Sequence, residues 1–144
     1  MPEGGPRMKC SDFTLLFADD EPAVRKIYEK AFSRDGFKII LCENAFQVLE
    51  KLGREKVDLL VLDLQMPGMD QMDLFALLRE KYPDIPALVV SGVYKGEVEN
   101  FAAKGYDVTT FFNKPAALID LKKSIYKLLK IDALGTFLTD KEVG

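Results

Sequence analysis

Along this chain, short runs of apolar residues alternate with stretches in which apolar positions recur every three or four residues. Phe13 to Ala18 is the first run. A run this short and this continuous predicts a strand buried on both faces. Asp19-Asp20-Glu21-Pro22 follows, and acids with a proline just inside the first turn mark a helix start. Val24, Ile27, Tyr28, Ala31 and Phe32 then fall at i, i+3, i+4, i+7 and i+8, the stripe of an amphipathic helix that Asp35-Gly36 ends. Phe37 to Cys42 predicts a second strand, and Phe46, Leu49 and Leu52 a short helix stopping near Gly53. Val57 to Leu62 predicts a third strand that runs into Asp63. Its loop, Leu64 to Met69, carries Pro-Gly punctuation. Leu74, Leu77, Leu78 and Tyr82 stripe a third helix closed by Pro83. Ala87 to Val90 predicts a fourth strand ending at Ser91-Gly92. A weaker helix is expected from about Gly96 to Lys104. Phe111-Phe112 reads as a fifth strand before Asn113-Lys114-Pro115, and Leu118, Leu121, Ile125, Leu128 and Leu129 stripe a last helix.

Five strands alternating with helices, the strands almost wholly apolar, predict an α/β doubly wound parallel sheet covered on both faces. The flanks differ. Residues 1–12 are polar and rich in Gly and Pro, which predicts a flexible arm; 13–130 form one domain, and 131–144 thin into a tail or linker. A length of 144 residues, 48% of them hydrophobic and 30% charged, agrees with one globular domain. The absence of histidine excludes a His general base, a Ser-His-Asp triad, His-ligated zinc and phosphohistidine. A net charge of -3 speaks against direct nucleic-acid binding. Cys10 and Cys42 form no Cys-x-x-Cys pair and read as two idle thiols of a reducing compartment. Met1 to Phe13 lacks the apolar core of a signal peptide, and no apolar run approaches the ~20 residues a membrane span needs. The expectation is a cytoplasmic domain without membrane contact.

In such sheets ligands sit beyond the carboxyl ends of the strands. The residues delivered there are Asp19, Asp20 and Glu21, then Asp63, then Ser91 and Gly92, then Lys114 and Pro115. Asp19, Asp20 and Asp63 within a few ångströms would repel one another, and at least one pKa would rise unless a cation intervenes. An all-oxygen site with few protein ligands suits Mg²⁺. Lys114 adds a fixed positive charge, so metal and lysine together match a phosphoryl dianion. Phosphoryl transfer asks for an in-line nucleophile and positive charge on the equatorial oxygens. Asp63 is a plausible nucleophile, because carboxylates form acyl phosphates. The Ser91 hydroxyl suits a third phosphoryl oxygen.

Asp19-Asp20, the segment Leu62-Asp63-Leu64-Gln65-Met66-Pro67-Gly68-Met69-Asp70, Ser91-Gly92 and Lys114-Pro115 occur in consistent order and spacing. In this the chain resembles the response-regulator receiver domain of two-component signalling, from about Asp12 to Lys130. The resemblance implies the flavodoxin-like strand order 2-1-3-4-5. It implies Asp63 as phospho-acceptor, with Mg²⁺ held by Asp19, Asp20, Asp63 and the Gln65 backbone carbonyl. Lys114 would contact the phosphoryl group, and Ser91 and Phe111 would form the switch. The implied donor is a sensor histidine kinase or a phosphotransfer protein. The implied target is a downstream effector protein, or an effector domain missing from this chain. Homodimerisation on phosphorylation follows from family habit alone. The chain also departs from the pattern. Gln71 stands where the family usually has Gly, Phe111 lacks a hydroxyl, and the stretch from Gly105 to Lys114 is slightly long.

Each piece alone has a plainer reading. Asp19-Asp20-Glu21 also suits a helix cap with an acidic first turn. Asp63 with its Pro-Gly loop also suits a simple strand-to-helix turn, Lys114 a solvated lysine, and Phe111 a core aromatic. Two other function classes compete. A Mg²⁺-dependent phosphatase with an Asp nucleophile expects a second acid two residues on, where this chain has Gln65. Flavin or nucleotide binding expects a phosphate loop, and neither GxxxxGK[ST] nor GxGxxG appears. A receiver-like docking module that no longer switches is the remaining alternative, with slow self-dephosphorylation the only catalysis expected of a receiver.

Overall fold

The computed structural model describes residues 9–91, 110–114 and 118–131. The elements are β1 (Thr14–Ala18), α1 (Pro22–Arg34), β2 (Lys38–Cys42), α2 (Ala45–Arg54), β3 (Leu59–Leu62), α3 (Gln71–Lys81), β4 (Ala87–Ser91), β5 (Thr110–Asn113) and α4 (Leu118–Leu129). The strands form one parallel sheet in the order β2-β1-β3-β4-β5. The expected architecture and strand order are therefore present. The weaker helix expected at Gly96–Lys104 falls outside the described residues.

The continuous apolar runs have a direct cause. Successive strand residues point to opposite faces, and both faces are covered. Leu16, Ala18, Leu60, Leu62, Ala87 and Val89 join one core cluster with Val48 and Leu52 of α2 and Leu74, Phe75 and Leu78 of α3. Leu15, Phe17, Leu59, Val61, Leu88 and Val90 join the other with Tyr28 and Phe32 of α1 and Leu121 and Ile125 of α4. In the second cluster the Phe17 ring stacks on Tyr28 at 4.6 Å between centroids and lies 5.0 Å from Phe32. Neither face could carry polar alternation, so none is written into the strands.

Several boundaries and faces differ from expectation. Val57 and Asp58 precede β3 because the Asp58 carboxylate takes the Thr14 N–H at 2.8 Å in place of a ladder bond. Ile27 fits the apolar stripe of α1 but is 52% exposed, since Tyr28 and Phe32 occupy the position facing the sheet. Phe46 fits the apolar stripe of α2 but is 59% exposed; Ala45, Val48 and Leu52 fill the inner face. In α3, Phe75 is buried although the stripe omitted it.

Residues 10–12, read from sequence as part of the arm, form a 3-10 turn with Cys10 buried. The Cys10 sulfur lies 3.1 Å from the Tyr126 hydroxyl. Tyr126 in turn approaches Asp35 at 3.4 Å, and Lys122 pairs with Asp35 at 3.0 Å. This cluster ties the Cys10–Asp12 turn to α1 and α4. Both cysteines are free and buried. Burial pushes the Cys42 thiol up to about 11, so it stays protonated at neutral pH. No helix among the described residues is long and apolar enough to cross a membrane.

Phe32→Ala, which empties a fully buried aromatic site, is expected to cost about 3–5 kcal/mol. Ile27→Ala on the outer side of the same helix is expected to stay within about 0.5 kcal/mol. Urea denaturation of the two variants checks the contrast.

Candidate functional site

Strand register builds the site. Ala18 and Leu62 are partners across β1 and β3, so the next residues, Asp19 and Asp63, leave the sheet side by side. Their backbones remain tied to it: the Asp63 N–H donates to the Ala18 carbonyl at 3.0 Å, and the Asp19 N–H to the Cys42 carbonyl at 3.0 Å. Both side chains are buried, and Asp20 beside them is exposed. Carboxylate oxygens of Asp19, Asp20 and Asp63 lie within 4.8 Å of one another. Each buried carboxylate uses one oxygen on the turn that follows it. Asp19 Oδ1 accepts from the Glu21 N–H at 2.9 Å, and Asp63 Oδ1 from the Gln65 N–H at 2.9 Å.

The other two oxygens face a single cation. Lys114 Nζ lies 2.8 Å from Asp19 Oδ2, 2.9 Å from Asp63 Oδ2 and 3.3 Å from Glu21 Oε1. Lys114 follows β5, so its side chain crosses the end of β4 to reach the acids. Ser91 closes β4 at this same edge, in register with Asn113. Phe111 is in register with Val89 on β5. The side chains of Ser91 and Phe111 lie outside what is described. The structure thus brings together Asp19, Asp20, Asp63 and Lys114, with the Gln65 backbone against Asp63.

Burial pushes the Asp19 carboxyl up, and the neighbouring charge of Asp63 adds to it. The hydrogen bonds from Lys114 and Glu21 N–H oppose the rise without cancelling it. Burial pulls the Lys114 ammonium down, but its hydrogen bonds to Asp19 and Asp63 and their charges outweigh this, and the net shift is upward. Lys114 is therefore charged throughout the physiological range. One ammonium against three clustered carboxylates leaves the pocket net negative. A hard divalent cation with oxygen ligands fits this donor set.

Two contacts here were not foreseen from sequence. Arg25 Nη1 donates to the Asp19 carbonyl at 2.8 Å, holding the acidic turn from the first turn of α1. Its position four residues after Glu21 is the only signal the sequence carried. Gln71, noted only as a departure from a pattern, donates its side-chain amide to the Leu64 carbonyl.

A doubly wound α/β domain with an acidic pocket and one lysine at the carboxyl edge of its sheet has the donor set to hold a divalent cation and a phosphoryl group. The model of the response regulator receiver domain family matches residues 15–126. The chain belongs to that family, the receivers of two-component signalling, which are phosphorylated on an aspartate.

Among its relatives is the transcriptional regulatory protein GlrR of Escherichia coli, 32% identical over 85% of this chain. The chain spans only 27% of that protein's length. Sporulation initiation phosphotransferase F of Bacillus subtilis is 27% identical over 81% of this chain and 94% of its own length. The fold is shared with the signal receiver domain of an HD domain-containing protein from Pseudomonas fluorescens, at a TM-score of 0.76 and 19% identity over 82% of this chain and 94% of that one. It is also shared with the response regulator TrrA of Thermotoga maritima, solved in complex with Mg²⁺-BeF, at a TM-score of 0.70 and 24% identity over 81% of this chain and 98% of that one.

The raised Asp19 pKa has a consequence for stability. The folded protein holds this proton more tightly than the unfolded chain, whose carboxyl titrates near 3.8. Between those two pKa values the native state binds more protons, so the contribution of Asp19 weakens as pH rises above that value. Asp19→Asn, which removes the charge and keeps the shape, is expected to raise the urea midpoint at neutral pH and to flatten its pH dependence. Denaturation curves from about pH 4 to about pH 8 check both.

Proposed function

We propose that Asp63 is the phospho-acceptor of this receiver, and that the observation carrying the reading is Lys114 Nζ placed within hydrogen-bond distance of both Asp63 and Asp19. An ionised carboxylate with a lysine fixed on it is a nucleophile whose product anion is already balanced. The Asp63 oxygen attacks the phosphorus of a phosphohistidine on a sensor kinase or phosphotransfer protein. The P–O bond to aspartate forms as the P–N bond to histidine breaks, and the imidazole leaves with the electron pair. Lys114 then holds a phosphoryl oxygen instead of the bare carboxylate. Asp19, Asp20, Asp63 and the Gln65 backbone carbonyl are the residues that would hold Mg²⁺, which supplies charge neutralisation at the phosphoryl oxygens.

The Ser91 hydroxyl takes a further phosphoryl oxygen, and Phe111 repacks with it, changing the surface of the β4 and β5 units. The output is protein contact with a downstream effector, either a separate protein or a domain joined to residues beyond 130. The receiver unit runs to about residue 130 and takes in the Cys10–Asp12 turn as well as 13–130, with the residues before that turn as an arm and 131–144 as a tail or linker. The chain works in the cytoplasm and dephosphorylates itself slowly. The phosphatase alternative gains nothing here: the residue two after Asp63 is an exposed Gln65, which has no proton to give as a general acid.

Incubation with Mg²⁺ and acetyl phosphate, read by intact mass, is expected to give a single phosphoryl adduct that requires Mg²⁺ and is absent in Asp63→Ala. Lys114→Ala is expected to slow loading by about a hundredfold. An adduct of equal yield on Asp63→Ala would remove Asp63 from the role.

A further inference from the structure

The loop between Asp63 and α3 is fixed at several points. Its far side is tied to α2, where the Ala45 N–H donates to the Pro67 carbonyl at 3.2 Å. Gly68 turns there with a φ of 111°, a conformation open to glycine and strained for other residues. A Cβ on it would also meet the Phe46 ring at 3.1 Å. The near side is held differently. The peptide joining Leu64 to Gln65 donates its N–H to Asp63 Oδ1 at 2.9 Å. Its carbonyl, on Leu64, accepts from the side-chain amide of Gln71.

A trans peptide is planar, with its N–H and C=O pointing in opposite directions. Holding the carbonyl therefore aims the N–H. Gln71 can hold it because it opens α3, a helix whose first turn is itself fixed. The Leu74 N–H donates to the Asp70 carbonyl at 3.0 Å, and the Asp73 N–H to Asp70 Oδ1 at 3.3 Å. The geometry points to Gln71 as a positioning residue for the phospho-acceptor, clamping the Leu64–Gln65 peptide so that Asp63 keeps one oxygen bound and the other turned to Lys114. A glycine at this position has no side chain to make the clamp, so the device belongs to this chain's own residue. The inference rests on Asp63 being the acceptor only for its effect on loading; the clamp itself exists in the unphosphorylated protein.

Two variants test it: Gln71→Met, of similar length but without a donor, and Gln71→Gly, without any side chain. Backbone amide exchange, followed residue by residue in the absence of phosphodonor, reads the clamp. Both variants are expected to exchange the Gln65 amide about tenfold faster while other amides and the urea midpoint stay at wild-type values. Both are also expected to load from acetyl phosphate about tenfold more slowly. Unchanged protection of the Gln65 amide overturns the proposal. So does faster exchange at all amides with a lowered urea midpoint, which would make Gln71 a merely structural residue. Faster Gln65 exchange with unchanged loading also overturns the positioning role. Failure of the wild type to load would instead remove the acceptor assignment, and the exchange comparison would still decide the clamp.

Discussion

Two carboxylates leave adjacent strands of a parallel sheet, are buried together, and are held by one ammonium from a third strand. Everything at the working edge of this molecule depends on that arrangement. Two buried like charges a few ångströms apart are unfavourable both by desolvation and by repulsion. Lys114 offsets part of this by lying at 2.8 and 2.9 Å from both. The backbone N–H groups of Glu21 and Gln65 offset more. The lysine side chain is 23% exposed, so its attraction is partly screened, and the acids still outnumber it. That residue of negative charge makes the pocket receptive to a cation and, with the cation, to a phosphoryl group.

The remainder of the fold serves this edge. The two core clusters on opposite faces make the sheet rigid, so the strand ends are fixed points rather than loop tips. Arg25 and Gln71 then act from the first turns of α1 and α3 on the two turns that carry the acids. Both reach a backbone carbonyl and so orient a turn; Gln71 does this as a neutral amide, whereas Arg25 also brings a guanidinium that pairs with Glu43 at 3.9 Å. A site made of short turns can hold sub-ångström geometry only if their peptides are held from outside, and helix starts are the nearest rigid donors.

The same unit occurs in its relatives at different scales. The chain covers nearly all of the sporulation phosphotransferase and about a quarter of the transcriptional regulator. The Cys10, Tyr126, Asp35 and Lys122 cluster ties the Cys10–Asp12 turn, α1 and α4 together through contacts separate from the pocket residues.

By itself the sequence determined the succession of strands and helices among the described residues, the parallel sheet, and which residues stand at the strand ends. The reason is physical: a strand covered on both faces must be apolar throughout, and a charged residue just after such a run has nowhere to lie but the edge. It did not determine which side of a helix wins when apolar positions exceed what the sheet can cover. Ile27 and Phe46 fit their stripes as well as Tyr28 and Val48 do, and only packing left them outside. Nor did it determine where β3 starts, because the Asp58 carboxylate competes with the ladder for the Thr14 N–H. The roles of Arg25 and Gln71 came from the tertiary structure alone. Each reaches a carbonyl six or seven residues back, across the turn that leads into its helix, and neither period nor motif encodes which side chain the geometry of that turn brings to it.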